Sequence, residues 1–145
     1  MNYEFHQGDF TISTDPAKLD IHRIHQFLSE ESYWAAGRKL AVVQQSIRSS
    51  LCFGVYHLEK QAGFARVVTD YCTFAWLCDV FILTEYRGLG LAKWLVKTIV
   101  DYPEFDHLRR FLLATKDAGS LYHDYGSFMP LNNPERWMER FNPDA

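Results

Sequence analysis

Alternating apolar and polar positions at residues 9–14, DFTIST, predict a first strand. Asp15 and Pro16 then supply an N-cap and a first-turn proline. Leu19, Ile21, Ile24, Phe27 and Leu28 follow at helical spacing, so a helix is expected there. Residues 30–37 are irregular and carry Tyr33 and Trp34, and a second helix is expected over 39–49. The apolar segments 51–58 and 62–69 flank a polar turn, Glu59–Lys60–Gln61, and read as a hairpin. Asp70 and Tyr71 turn the chain into 73–83, TFAWLCDVFIL, an almost unbroken apolar run whose single charge is Asp79. A helix is predicted from about Gly88 until Pro103 stops it, then a strand over 109–114. A short helix is expected over 117–125 with Gly126 as its C-cap, and a last short strand over 136–141. This order gives an α+β or α/β fold with a predominantly antiparallel sheet.

The length of 145 residues suits one domain over 1–145. Against 18 acidic residues stand 15 Lys and Arg, a formal charge of −3, so no basic surplus exists to neutralise phosphates and nucleic acid is not expected as a partner. No apolar run reaches the roughly eighteen residues a membrane crossing needs, and MNYEFHQGDF lacks the pattern of a secretory signal. A cytoplasmic protein with no membrane partner is expected. Cys52, Cys72 and Cys78 form no CxxC pair and lie in apolar segments, so buried free thiols in a reducing compartment are expected. His22 and His25 have ligand spacing, but no cysteine or carboxylate cluster accompanies them. Solvated histidines and no metal are expected.

The chemistry concentrates between Asp79 and Trp94. A buried strand ends in Arg87-Gly88-Leu89-Gly90-Leu91-Ala92, which opens directly into a helix. Free N–H groups and the dipole at a helix N-terminus attract anions. Gly88 and Gly90 let the backbone approach a phosphate closely, Arg87 adds positive charge, and Ala92 leaves room over the first turn. The loop is neither a P-loop nor the dinucleotide fingerprint, because Lys93 stands where the latter needs its third glycine.

Arg-x-x-Gly-x-Ala after an apolar strand and opening a helix resembles the Q/R-x-x-G-x-G/A motif of the GNAT superfamily of N-acetyltransferases. Glu85-Tyr86-Arg87-Gly88 resembles the phrase that often precedes those glycines. Downstream, Ala118-Gly119-Ser120-Leu121-Tyr122 and Tyr125-Gly126-Ser127-Phe128 resemble the family's A-x-x-L-Y-x-x-x-G-F signature, with Ser127 inserted. Thr115 stands where many members have Asn.

The resemblance implies an α/β/α sandwich around a central mixed, mostly antiparallel sheet of about six to seven strands. That sheet would be splayed between the fourth and fifth strands, here 73–83 and 109–114. It also implies acetyl-coenzyme A as cosubstrate, with the pyrophosphate on the N–H groups of Leu89, Gly90, Leu91 and Ala92. The pantetheine arm would pair with backbone near Phe81 and Leu83, alongside Ile82, and Thr115 would lie at the same site. A homodimer is an expectation from the family.

Transfer to an amine requires loss of an ammonium proton, stabilisation of an oxyanion near Phe81, and protonation of the leaving thiolate. Tyr122 matches the family's tyrosine that points at the thioester sulfur and would be the acid; packing on the sheet is the other reading. Asp79, alone in its apolar strand, is either the base or the partner of an arginine. Tyr33, Trp34 and Trp76, with Tyr71 and Phe74, would line the pocket of a small amine, some of them serving only as filler. The expected activity is an N-acetyltransferase acting by direct transfer in a ternary complex. A non-catalytic acetyl-coenzyme A sensor is the competing reading.

Overall fold

Gly8 adopts φ +60°, which lets a two-residue turn join β1 (Glu4–Gln7) to β2 (Phe10–Ser13) in an antiparallel hairpin. In this computed structural model, which describes residues 1–145, the hairpin adds a strand that the sequence pattern did not announce. Three of the four β1 residues are exposed, so the strand carries little alternation for a pattern to detect.

The expected first helix is divided. Asp15 caps a single 3₁₀ turn, Pro16–Lys18, by accepting from Ala17 N–H, and Asp20 caps α1 (Ile21–Gln26) by accepting from Arg23 N–H. A π-helical turn follows over Phe27–Glu31, closed by Ser32 N–H to the Phe27 carbonyl at 3.0 Å. Ser32 Oγ then donates to the Leu28 carbonyl and accepts from Ala35 N–H, which fixes the start of the loop carrying Tyr33 and Trp34. The second helix, α2, spans Leu40–Arg48.

The strands β3 (Leu51–His57), β4 (Lys60–Thr69), β5 (Phe74–Ile82) and β6 (Arg110–Leu113) complete one six-stranded sheet in the order β1-β2-β3-β4-β5-β6. Every neighbouring pair is antiparallel except β5–β6, which is parallel because α3 (Leu91–Val100) crosses over between them. The last helix, α4, covers Gly119–Gly126. Residues 136–141 form no strand. A 3₁₀ turn, Pro134–Arg136, starts that segment, and Trp137 lies over the Arg110 guanidinium, with 5.2 Å between them.

Helices cover both faces of the sheet. On one face, Leu91, Leu95, Val96 and Ile99 of α3 and Tyr122 of α4 pack on Phe53, Val55 and Leu77. On the other, Ile24, Val43 and Ile47 of α1 and α2 pack with Phe64 and Phe81, and Phe27 stacks on Phe81 at 4.0 Å between centroids. These layers are the α/β/α sandwich expected from the sequence.

Cys72 departs from expectation. The Asp70 carboxylate gathers the N–H groups of Cys72, Thr73 and Phe74 into a tight turn, and this lifts the Cys72 thiol out of the sheet into solvent. Cys52 is buried and Cys78 partly buried.

Gly63 of β4 has no room for a side chain. A Cβ there would lie 2.6 Å from Ile82 Cδ1 and 2.9 Å from the Phe81 carbonyl oxygen. Gly63→Ala should therefore cost about 1–3 kcal/mol, read as a lower denaturation midpoint. An unchanged midpoint would mean that β4 and β5 separate freely.

Candidate active site

The parallel pairing of β5 with β6 runs only from Phe74 opposite Arg110 to Leu77 opposite Leu113. Beyond it the strands part around a cavity of about 780 Å³. The cause of the parting lies in β5. Phe64 pairs with Phe81 and Arg66 with Cys78, so Asp79 and Val80 together face the single residue Ala65. This bulge is built on a left-handed backbone at Asp79, φ +53°, a conformation that Asp tolerates better than most side chains.

After the bulge, Leu83 N–H donates to the Ala62 carbonyl at 2.8 Å, toward β4, and the Ile82 carbonyl faces the opposite way. Arg87 Nε donates to that carbonyl at 3.0 Å. With a period of two, the backbones of Phe81 and Leu83 are engaged with β4, and Ile82 and Val80 present theirs to the open edge. The free backbone edge of β5 thus lies at Val80 and Ile82, one residue from Phe81 and Leu83. Phe81 is among the residues lining the cavity.

At the mouth, a 3₁₀ turn over Thr84–Tyr86 leads into Arg87-Gly88-Leu89-Gly90. Gly88 and Gly90 have φ of +81° and +78°, and nothing lies within 4 Å of a Cβ built on either. Gly90 is the N-cap of α3, so the helix starts at Leu91, slightly later than predicted. No acceptor within the protein takes the N–H groups of Gly88 through Lys93, the first paired one being Trp94 N–H to the Gly90 carbonyl. Arg87, Gly88, Gly90, Leu91 and Ala92 line a second cavity of about 270 Å³ there. Leu91 is buried, and Leu89 is exposed and lies outside the lining of this hollow.

Asp79 sits on the cavity floor with its side chain 1% exposed. Its carboxylate accepts from Arg66 Nε at 2.8 Å, from Arg38 Nη1 at 3.1 and 3.2 Å, and from Trp34 Nε1 at 3.0 Å. A carboxylate has about four acceptor sites, and these four contacts occupy them. Asp79 is thus the partner of two arginines. Sequence reasoning missed Arg38 and Arg66 as members of this group. Arg66 left a signal, as the lone charge in the run AGFARVVT just before the run holding the lone Asp79. Arg38 left none, because it lies in a polar loop. Its backbone is held by His25, whose Nε2 lies 2.9 Å from the Arg38 carbonyl, so His25 is half-buried and engaged where a solvated histidine was expected.

Tyr33, Trp34 and Trp76 all line the cavity, as does Thr115. Tyr33 and Trp34 meet edge to face at 5.1 Å. Tyr33 also reaches across the cleft, where its hydroxyl accepts from Lys116 N–H at 3.2 Å and its ring lies 5.3 Å from the Lys116 ammonium. Tyr71 lines a different cavity, with Tyr102 and Glu104, and Phe74 lines neither. Thr115 Oγ1 accepts from Ala118 N–H and so shapes the turn into α4.

Tyr122, one turn into α4, is buried against the cleft wall. Burial, with the nearby Tyr33 phenol adding to it, pushes its hydroxyl up to about 12. The inserted Ser127 takes the left-handed C-cap at φ +58° that Gly126 was expected to take. Gly126 serves packing instead, because a Cβ there would lie 2.8 Å from the Phe128 ring and 3.0 Å from Val96.

Residues 21–126 match the acetyltransferase (GNAT) family. A candidate acetyltransferase of Gibberella zeae is 34% identical over 136 residues, covering 80% of this chain and 77% of that protein. The crystal structure of a candidate GNAT-family acetyltransferase from Xanthomonas campestris is 46% identical, with a TM-score of 0.90, covering 95% of this chain and 96% of that one. Glucosamine-6-phosphate N-acetyltransferase from Arabidopsis thaliana shares the fold at 16% identity, with a TM-score of 0.60, covering 91% and 97% of the two chains. These matches make the protein an acyltransferase, and the chain belongs to the GNAT family of acetyltransferases. No helix is long and apolar enough to cross a membrane.

Asp79→Asn would leave two guanidinium groups with no anionic partner, and should lower stability by about 3 kcal/mol. Urea denaturation tests this, and an unchanged midpoint would remove Asp79 from the supports of the cleft floor.

Proposed function

We propose that residues 1–145 form one N-acetyltransferase domain, which moves an acetyl group from acetyl-coenzyme A to a primary amine of a small-molecule acceptor. The carrying observation is the run of unpaired N–H groups from Gly88 to Lys93, which opens beside the free edge of β5 in the same structure that buries Tyr122 against the cleft. These features fit the coenzyme: a row of donors for a pyrophosphate, a bare strand edge for an extended amide-bearing arm, and a phenol deeper inside.

Acetyl-coenzyme A would supply the acyl group as an activated thioester. The N–H groups of Gly88 to Ala92 and the α3 dipole hold its phosphates, where Lys93 lines the same hollow. The Ile82 and Val80 backbones hold the arm, and a strand N–H at the bulge faces the developing oxyanion. The amine attacks the carbonyl carbon directly, the C–S bond breaks, and the nitrogen loses its proton once it is bonded to that carbon. Tyr122 stays protonated at neutral pH and donates its hydrogen bond to the departing sulfur. Because its phenol is a weaker acid than an ordinary thiol, near 8.5, it returns a proton to sulfur only as it takes up the one nitrogen releases.

Asp79 acts here by positioning Arg38, Arg66 and Trp34, and the ammonium gives its proton to water in the open cleft. Cys78, the thiol lining the cleft, is pushed up to about 11 by burial and is poorly suited to carry the acetyl group. That favours direct transfer over a covalent enzyme intermediate. A reducing, cytoplasmic setting suits the exposed Cys72 thiol.

Calorimetric titration with acetyl-coenzyme A should give micromolar affinity, with ATP and NAD silent. Gly90→Glu should abolish it, because the substitution strains a left-handed residue and places a carboxylate among the phosphates. Retained binding would remove the loop from the site. Tyr122→Phe should lower kcat by on the order of 10²-fold with coenzyme affinity kept. In the parent enzyme, kcat should not fall through loss of the phenolic proton below the ordinary tyrosine value near 10. An undiminished kcat in Tyr122→Phe would return the ring to a packing role. Tight coenzyme binding with no turnover across a broad amine panel would favour a sensor.

A further inference from the structure

The cleft floor carries an imbalance of charge. Two guanidinium groups, Arg38 and Arg66, share one carboxylate, Asp79, leaving a net charge of about +1 among side chains that are 25%, 15% and 1% exposed. Arg38 commits only Nη1 to Asp79, so its Nε and Nη2 find no protein acceptor. Arg66 commits Nε to Asp79 and Nη1 to Ser50 and leaves Nη2 without one. Both side chains line the cavity, with Trp34 and Trp76. The cavity's other carboxylates do not cancel this charge. Glu31 is exposed and pairs with Arg23 at 3.4 Å, and Asp117 is exposed on the loop before α4. Half-buried guanidinium groups with unused donors in a fixed fork bind carboxylates. The Asp79 contacts hold that fork rigid, so little ordering remains to be done on binding.

We propose that the acceptor is an amino acid-type amine, whose own carboxylate docks on the free donors of Arg38 and Arg66 and whose apolar body lies against Trp34 and Trp76. A single residual positive charge matches a monoanionic carboxylate better than a doubly charged phosphate ester. The aromatic walls favour an apolar or aromatic side chain. This inference rests on the acetyl-transfer reading of the same cleft, and it makes the floor a specificity device for that reaction.

The test uses the intact chain saturated with coenzyme A and reads binding of the acetylated products by tryptophan fluorescence. The probes are N-acetylated phenylalanine, tryptophan, leucine and methionine, each beside the acetylated amine that lacks the carboxylate. In at least one pair the carboxylate should improve affinity by roughly 10- to 100-fold. Arg38→Met should erase that difference, while its unfolding transition and its affinity for acetyl-coenzyme A report an intact fold and donor site. Arg38→Lys, which keeps the charge but loses the fork, should retain only part of the difference. Equal binding within every pair, no binding of any carboxylate probe, or a preference that survives in Arg38→Met overturns the proposal. Thiol release from acetyl-coenzyme A with the parent amines separates the two readings: turnover of decarboxylated amines alone sinks the acceptor assignment and leaves acetyl transfer standing. Carboxylate-selective binding without thiol release does the reverse.

Discussion

Two strands that pair in parallel have no reason to separate unless one of them loses its register, and the bulge at Asp79 supplies that loss. One surplus residue opposite Ala65 rotates the following backbone, and the ladder to β6 ends at Leu77 and Leu113. A non-glycine residue at φ +53° costs strain, and here the Asp79 side chain offsets it with four polar contacts from three side chains. The same carboxylate pins Arg38 from the loop before α2, Arg66 from β4, and the Trp34 indole. The opening of the sheet and the furnishing of the cleft thus have one origin.

What was legible in the sequence was whatever depends on neighbours along the chain. Gly88 and Gly90 announced a loop of unusual dihedrals because few other residues reach φ near +80° without strain. The helical spacing of Leu91, Leu95 and Val96 placed α3, and the resemblance of Ala118 to Phe128 to the family signature implied a phenol near the cleft at Tyr122. Five of the six strands were legible by pattern; β1 was not, since it is mostly exposed and its pairing is decided by the turn at Gly8.

What was not legible depends on distant partners or on a shift of one residue. The π-helical turn at Phe27–Glu31 lies inside a run that spacing alone reads as plain helix. The edge-facing residues of β5, Val80 and Ile82, follow from a bulge whose existence only the paired strand reveals. Arg38 and Asp79 are separated by 41 residues, and no local rule joins them. The tail, rich in aromatic residues, read as a strand, yet the outer edge of β6 pairs with nothing, and Trp137 rests on Arg110 instead.

The Tyr33–Lys116 contact joins the two jaws of the cleft, one the loop that carries Tyr33 and Trp34 and one the loop before α4. It is an exposed hydrogen bond beside an exposed cation, together worth about 1 kcal/mol. Held by that alone, the latch would be undone for roughly a sixth of the time. A contact of that size parts and re-forms at thermal energies. The width of the cleft at this point is therefore adjustable, although its floor at Asp79 is fixed by four polar contacts.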